Sequence, residues 1–413
     1  MTAVAAETWH ALARPEHAAL VAAAAGADPQ SVSAVGRLRK LGAIEMVRAA
    51  LHLAEARRKA AGKFGDSAAA LWADPEGVEM ASSLLAARHK AERMVRVLGN
   101  AEALDICCGI GGDAMAMHAA RLRVRCVDLN PARAWMAGLN SGCEAIVGDA
   151  ADTGIIGRGT RLVHIDPSRR TGEGHASRRI FRLADLLPGP PVLRAIIDRV
   201  AGVAGTEPWG AAIKLGPGVN AAELAVIAGK HPLELEIISE RGRLTQGIAW
   251  IGAMAVHERS ATLLDADGPG LATHMLVGTP DRPPPVGPMG RFVFEPDDSV
   301  ERAGLLAELC TRLNARMPHA AAGLLTTDTL VVHPMLAGFE VLDVGPWNPR
   351  RVREVLGGLD AGIIEVKARG GVVDPDRVQT ELRGGGSVTL TVFVVRFGDQ
   401  IRAIVSRRLK RAA

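Results

Sequence analysis

The stretch LDICCGIGGDA, residues 104–114, decides the fold. It passes from a strand-length apolar run into a glycine turn and then into the helical pattern DAMAMHAA, residues 113–120. Glycines at such a turn let the backbone approach a ligand closely. The same letters satisfy G-x-G-x-x-A, so a dinucleotide-binding oxidoreductase is one reading of this turn taken alone. Working outward, further strand-length runs follow in RVRCVDL, CEAIVG, RLVHID and AAIKLG, separated by helical or turn-rich segments. That alternation predicts an α/β domain with a parallel sheet. Next come LELEIIS (233–239) and LTQGIAWIG (244–252), separated only by ERGR, which is too short for a helical crossover. They are expected to pair antiparallel as a hairpin.

Four consecutive strand ends carry acids: Asp105, Asp128, Asp149 and Asp166. Ligands of open α/β sheets lie outside the carboxyl ends of the strands, so these side chains are expected to converge on one crevice. Asp128, followed by Asn130-Pro131 at the start of a helix, suits the two hydroxyls of a ribose. Asp149, in Gly148-Asp149-Ala150, suits an adenine amino group. An acidic crevice repels a pyrophosphate and attracts a sulfonium and an ammonium, which favours S-adenosylmethionine over NAD.

DICCGIGGD (105–113), CVDLNPAR (126–133), VGDAAD (147–152) and HIDPSRR (164–170) resemble the successive motifs of class I S-adenosylmethionine-dependent methyltransferases. The Cys-Gly-x-Gly-Gly doublet is similar to the trimethylguanosine synthase type of first motif. The resemblance implies a Rossmann-like seven-stranded sheet with a reversed last strand over about 100–265. It implies cofactor contacts from Asp105, Cys108, Gly109 and Gly111 at the methionine end, from Asp128 and Asn130 at the ribose, and from Asp149 and Ala150 at the adenine. It also places Asp166, Pro167, Ser168 and Arg169 against the substrate as the catalytic motif.

In amino-methylating relatives that last motif ends in Pro and a stacking aromatic, where this chain has Ser168 and Arg169. The carboxylate and the carbonyl around Pro167 can still accept from an exocyclic amine, and an arginine plane can stack on a base. The Asp-Pro-Ser-Arg string is also similar to the motif of uracil C5 methyltransferases. Those need a nucleophilic cysteine beyond it, and here only Cys310 follows. TGEGHASRRIFRL (171–183) adds Arg178 and Arg179 to Arg169 and Arg170, an expected phosphate-binding loop. His164, His118 and His333 read as packed residues, and Ser82 and Ser83 as helix caps, with reach to the cofactor as the other possibility.

Residues 1–96 repeat apolar positions three and four apart, as in AIEMVRAALHLAEARRKA, and are expected to form a helical region. Residues 97–265 are assigned to the cofactor domain. Pro and Gly concentrate over 266–290, which predicts a linker. Residues 291–413 read as a small α+β domain. Within it HPMLAGFEVLDVGPWNPRRVREVLGGL (333–359) and EVKARGGVVDPDRVQTEL (365–382) resemble the THUMP-like domain attached to a bacterial group of such methyltransferases.

The 413-residue length fits two or three domains. Charge is a small net +4, but only eight of the 49 basic residues are lysines, so anion recognition would rest on arginine. Tyrosine is absent, which excludes any site built on a stacking Tyr. Five unpaired-looking cysteines lack metal or disulfide spacing, no metal is expected, and the N-terminus does not read as a signal peptide. No apolar run reaches about 18 residues, so no membrane span is expected and a cytoplasmic location fits best. The expected function is S-adenosylmethionine-dependent methylation of a nucleobase nitrogen in structured RNA such as tRNA or rRNA. Alternatives are a non-catalytic RNA-binding or assembly factor on the same fold, an NAD-linked oxidoreductase, and a small-molecule methyltransferase.

Overall fold

The computed structural model describes residues 4–169, 182–267 and 270–409. These divide into two compact units. The first comprises residues 1–234, 246–256 and 266–271, and the second residues 235–245, 257–265 and 272–413.

The N-terminal region is helical, as its periodicity predicts: α1 (Ala6–Leu12), α2 (Ala18–Ala25), α3 (Val32–Leu38), α4 (Ile44–Phe64), α5 (Pro75–Met80) and α6 (Leu84–Leu98). On α4 the residues Val47, Ala50, Leu53, Ala54, Ala60 and Phe64 fall on one buried stripe. Asp74 caps α5 by accepting from Gly77 N, and Ser83 caps α6 by accepting from Ala86 N. The capping role read for Ser83 therefore holds. The core of these helices also takes in Ile110, Ala132 and Met136, so it is continuous with the glycine turn and the helix that follows the second strand.

The cofactor-type domain starts with β1 (Glu102–Ile106), α7 (Gly112–Ala119), β2 (Arg123–Asp128), α8 (Pro131–Ser141) and β3 (Glu144–Val147). It continues through β4 (Thr160–Ile165), α9 (Pro190–Ala204), β5 (Gly210–Leu215), β6 (Leu233–Glu240) and β7 (Arg243–Gly252). Strands β8 (Arg259–Asp267) and β9 (Gly270–Gly278) complete a nine-stranded sheet of order β9-β8-β6-β7-β5-β4-β1-β2-β3. Strands β1 to β5 pair in parallel, and β7 runs antiparallel to β5. The first seven strands therefore have the reversed last strand expected from the sequence. Arg241 and Gly242, with φ of 51° and 74°, form the two-residue turn between β6 and β7, a geometry that matches the twist of a hairpin.

Two strands escape the sequence reading. β9 lies in the 266–290 stretch expected to be a linker, and β8 ends inside its first two residues. The periodicity of β8 is masked by polar residues that are nonetheless buried. Ser260 and Thr262 are fully buried, and Thr262 Oγ1 donates to the buried Glu236 at 2.5 Å. A polar residue satisfied by a buried partner looks, in sequence, like an exposed one.

The second unit contains a six-stranded sheet of order β11-β10-β12-β15-β14-β13. Its strands are β10 (Phe292–Pro296), β11 (Leu325–Thr327), β12 (Leu336–Pro346), β13 (Ala361–Ala368), β14 (Val388–Phe397) and β15 (Gln400–Arg408), with helices Pro349–Gly358 and Pro375–Leu382 between β12, β13 and β14. This is the α+β arrangement read from the sequence. Two helices, Asp298–Arg302 and Leu306–Leu313, follow β10.

Arg93 of α6 makes a buried bidentate contact to Glu234, at 2.9 and 2.5 Å. It also donates to the carbonyl of Met254 at 2.7 Å and lies 4.5 Å from the Trp250 ring centre. Removing one member of such a pair leaves a charge buried without compensation. Arg93→Met is therefore expected to lower unfolding free energy by about 3–5 kcal/mol in urea titrations. The Arg93→Met, Glu234→Leu double variant should recover much of that loss.

Candidate functional site

A cavity of ≈ 400 Å³ opens at the carboxyl ends of β1, β2, β3 and β4. Asp105, Cys108, Gly109, Asp128, Asp149, Ala150, Asp166 and Ser168 line it, so most of the residues singled out in the sequence meet there. Parallel pairing brings this about, because β1 in register with β2 and β4, and β2 with β3, aligns the strand ends.

The glycine turn is left-handed. Cys107, Gly109 and Gly111 have φ of 56°, 55° and 83°. At Gly109 a Cβ would meet nothing within 4 Å, so the backbone there faces open space. At Gly111 a Cβ would stand 2.8 Å from Ala137 Cα, so this glycine is needed for α7 to approach α8. Gly111 is thus a packing residue behind the turn. Asn140, on α8, fixes the same turn by donating to the carbonyls of Ile110 and Trp72, both at 2.8 Å.

Asp128 accepts from Gly109 N at 2.8 Å through one oxygen and from Asn130 N at 2.9 Å through the other. Each oxygen keeps a lone pair for a further donor. Burial pushes this carboxyl above its usual range, against the pull of those two backbone N–H groups. Asn130 turns its own side chain to the α8 terminus, accepting from Ala132 N and Arg133 N. Asp149 Oδ1 accepts from Ala151 N at 2.8 Å.

Asp105 is fully buried at the end of β1. Its Oδ1 meets His164 Nδ1 at 2.7 Å, while Oδ2 has no hydrogen-bond partner among the described residues. Burial raises its pKa, and neighbouring His164 and Lys90 oppose the rise. Asp113, just inside α7, pairs with Lys90 Nζ at 2.6 Å and accepts from Ser82 Oγ at 2.9 Å. Burial would raise this carboxyl, but Lys90 and His164 hold it well below the usual carboxylate range.

At the end of β4, Asp166 Oδ2 pairs with Lys214 Nζ of β5 at 2.7 Å, and Lys214 also donates to the carbonyl of Met80 at 2.8 Å. Burial favours loss of that lysine's proton, yet the attraction of Asp166 and Asp113 outweighs it and raises its pKa. Pro167 is buried. Ser168 and Arg169 form a short antiparallel bridge with Leu187 and Leu186. Arg170, Arg178 and Arg179 lie outside the described residues.

Sequence reasoning missed Lys90, Asp113 and Lys214 as members of the site, and it read His164 only as a packed residue. It is packed, and it also contacts both Asp105 and Lys90. The scarcity of lysine was the available signal. A lysine inside the otherwise apolar run AAIKLG, or on the buried stripe of α6, has to be paired. The N-terminal region also contributes Gly77, Met80, Ala81 and Ser82 to the cavity wall.

Residues 336–408 match the THUMP domain-like family. Over 354 residues the chain is 32% identical to proteins of Mycobacterium tuberculosis strains CDC 1551 and H37Rv, each named as an uncharacterised S-adenosylmethionine-dependent methyltransferase. The match covers 83% of this chain and 90% of each relative. The chain belongs to the S-adenosylmethionine-dependent methyltransferases. A solved structure of a candidate methyltransferase from Porphyromonas gingivalis W83 shares its fold, with a TM-score of 0.70 and 15% identity over 95% of this chain and 98% of that one. S-adenosylmethionine is therefore the cofactor of this methyltransferase, and the oxidoreductase alternative falls away. The residues present fit that cofactor, because an unpartnered buried carboxylate oxygen suits a cation and the doubly anchored Asp128 suits paired hydroxyls. Among the described residues no group of three or more His, Cys, Asp and Glu could hold a metal ion, and no helix is long and apolar enough to cross a membrane.

The two turn glycines of this methyltransferase should respond differently to a methyl group. Gly111→Ala meets both a left-handed backbone and the α8 backbone, and is expected to lose about 2–4 kcal/mol of stability. Gly109→Ala meets only the former and should lose about 1 kcal/mol. Urea midpoints at constant m measure the contrast.

Proposed function

We propose that this methyltransferase methylates a nucleobase nitrogen in structured RNA. The observation that carries the reading is Asp166, anchored by Lys214 in the same cavity as Asp105 and Asp128, in a chain whose C-terminal part matches a THUMP-like family. Bound S-adenosylmethionine supplies a methyl carbon made electrophilic by its positively charged sulfur. Asp105 faces the ammonium of the cofactor, Asp128 its ribose hydroxyls and Asp149 its adenine amino group. Cys108, Gly109 and Ala150 bring the chain close to the cofactor, while Asn130 and Gly111 hold the turn and helix that make this approach possible.

On the substrate side, Lys214 engages one oxygen of Asp166, and the other accepts the amine hydrogens of the base together with the carbonyl around Pro167. Accepting those hydrogens concentrates electron density on the nitrogen and aims its lone pair. The nitrogen–carbon bond would form as the carbon–sulfur bond breaks and S-adenosylhomocysteine leaves, with the surplus proton on nitrogen lost to solvent water, so that these residues contribute alignment and a fixed polar environment. The guanidinium of Arg169 stacks on the base in place of the missing aromatic, and Arg170, Arg178 and Arg179 bind phosphate.

Calorimetry tests the cofactor half. An Asp128→Ala, Asp149→Ala double variant should bind S-adenosylmethionine about 10- to 100-fold more weakly, from the loss of a half-buried carboxylate acceptor at Asp128 and an exposed one at Asp149. In the parent, affinity should fall on acidification. The raised pKa of Asp128 means its accepting form is lost above the ~3.9 of a free aspartate, and Asp128→Asn should remove that component. The RNA half is tested by mass spectrometry of nucleosides from wild-type, deletion and Asp166→Asn strains. One methylated nucleoside should vanish in both mutants, and an unchanged nucleoside profile would refute the RNA reading.

A further inference from the structure

Beneath the cavity runs a chain of buried polar groups that the proposed reaction does not use directly. Lys90, on α6, is 1% exposed, and its ammonium is the hub. It lies 2.6 Å from Asp113 Oδ1, 3.1 Å from Ser82 Oγ and 3.2 Å from His164 Nε2. An ammonium has three donors and no acceptor, and here three acceptors stand around it. Ser82 Oγ accepts from Lys90 and donates its own O–H to Asp113 Oδ2 at 2.9 Å. The contact to Asp113 Oδ1 is an ion pair that falls short of hydrogen-bond geometry, so the hydrogen bonds of the ammonium go to Ser82 and His164.

One arrangement of His164 is compatible with these contacts. Facing a group that can only donate, Nε2 must accept, so the ring proton resides on Nδ1 and is donated to Asp105 Oδ1 at 2.7 Å. A proton on Nε2 would point at a cation and leave Asp105 Oδ1 facing a lone pair. Asp113 Oδ2, at 3.8 Å from Nε2, is beyond hydrogen-bond range and does not change the assignment. With Oδ1 occupied by His164, the other oxygen of Asp105, a residue of the cavity wall, is buried and unpartnered among the described residues and is the one left for a further donor.

We infer that Lys90 is a positioning residue for the methyltransferase reaction: acting from the N-terminal helical region, it fixes the tautomer of His164 and thereby turns the free oxygen of Asp105 to the amino group of the cofactor. The tautomer follows from the contacts alone. The last link rests on the proposed placement of the cofactor ammonium beside Asp105. Lysine suits the hub because a compact point charge with three rotatable donors can serve three acceptors in different directions, which a planar guanidinium cannot. Register makes the route short, since Asp105 and His164 are paired neighbours on β1 and β4.

The test uses the full chain labelled with ¹⁵N-histidine. At pH 7.5 and without ligand, His164 of the parent should carry its proton on Nδ1, with Nε2 bare, and in Lys90→Met the proton should redistribute toward Nε2. Binding is measured alongside. Lys90→Met should weaken S-adenosylmethionine and S-adenosylhomocysteine, which both carry the amino-acid group, by about tenfold. Methylthioadenosine, which lacks that group, should bind within about twofold of the parent, and Lys90→Arg should restore at most part of the loss. A proton on Nε2 in the parent overturns the relay whether or not any variant folds. Equal weakening of all three ligands overturns the positioning role in favour of a purely structural one. A shifted tautomer with unchanged S-adenosylmethionine affinity overturns the link from Asp105 to the amino group, and so strikes the proposed cofactor placement while the relay itself is intact.

Discussion

Two carboxylates, Asp105 and Asp113, are taken almost wholly out of water where β1 passes into α7. Removing an ion from water costs several kcal/mol unless a partner of opposite charge and a full set of hydrogen bonds compensate it. The parallel sheet provides His164 in direct contact and the charge of Lys214 from β5. Lys90 and Ser82 come from outside it, one on α6 and the other just before that helix. The cofactor domain of this chain is therefore electrostatically incomplete without the N-terminal helices, and their shared core with Ile110, Ala132 and Met136 is the apolar counterpart of the same dependence. The helical region is better regarded as part of the site than as an appendage to it.

That dependence explains how an acidic cavity can exist in a folded protein. Asp113 and Asp166 are each neutralised by a lysine at 2.6 to 2.7 Å, and Asp128 is held by two backbone N–H groups. Asp105 is left with one oxygen unpartnered among the described residues. The negative charge of the cavity is thus unevenly paired: Asp113 meets a lysine inside the protein, whereas Asp105 keeps an oxygen without a partner among the described residues. A cation meets compensation there, whereas a pyrophosphate meets repulsion.

The sequence made the sheet and the convergence of acids readable because both follow from local pattern. Four successive strand-length apolar runs each lead to an acid, and parallel pairing aligns the ends regardless of what lies between them. The hairpin of β6 and β7 was readable for a similar reason, since four residues cannot hold a crossover. What stayed hidden depends on contacts between residues far apart in the chain. Lys90 and His164 are 74 positions apart, and Lys214 and Asp166 are 48 apart. β8 was concealed by polar residues whose partners lie on another strand. His164 shows the limit most clearly: its burial was foreseeable from its place inside an apolar strand, but its role depends on which group faces each ring nitrogen.

The substrate end carries the same logic of anchoring one atom to free another. Lys214 holds Oδ2 of Asp166 and also donates to the carbonyl of Met80, so the carboxylate is fixed between β5 and the N-terminal region. A carboxylate restrained in this way is suited to accepting hydrogen bonds in a constant geometry, and less suited to swinging toward a proton and carrying it away. On the proposed reading, such an acid suits an acceptor nitrogen that is nucleophilic once oriented, and it would supply part of the positioning that an aromatic platform gives by stacking. With no tyrosine in the chain and an arginine at the place of the usual ring, orientation by hydrogen bonds and a guanidinium plane is the chemistry these residues leave open.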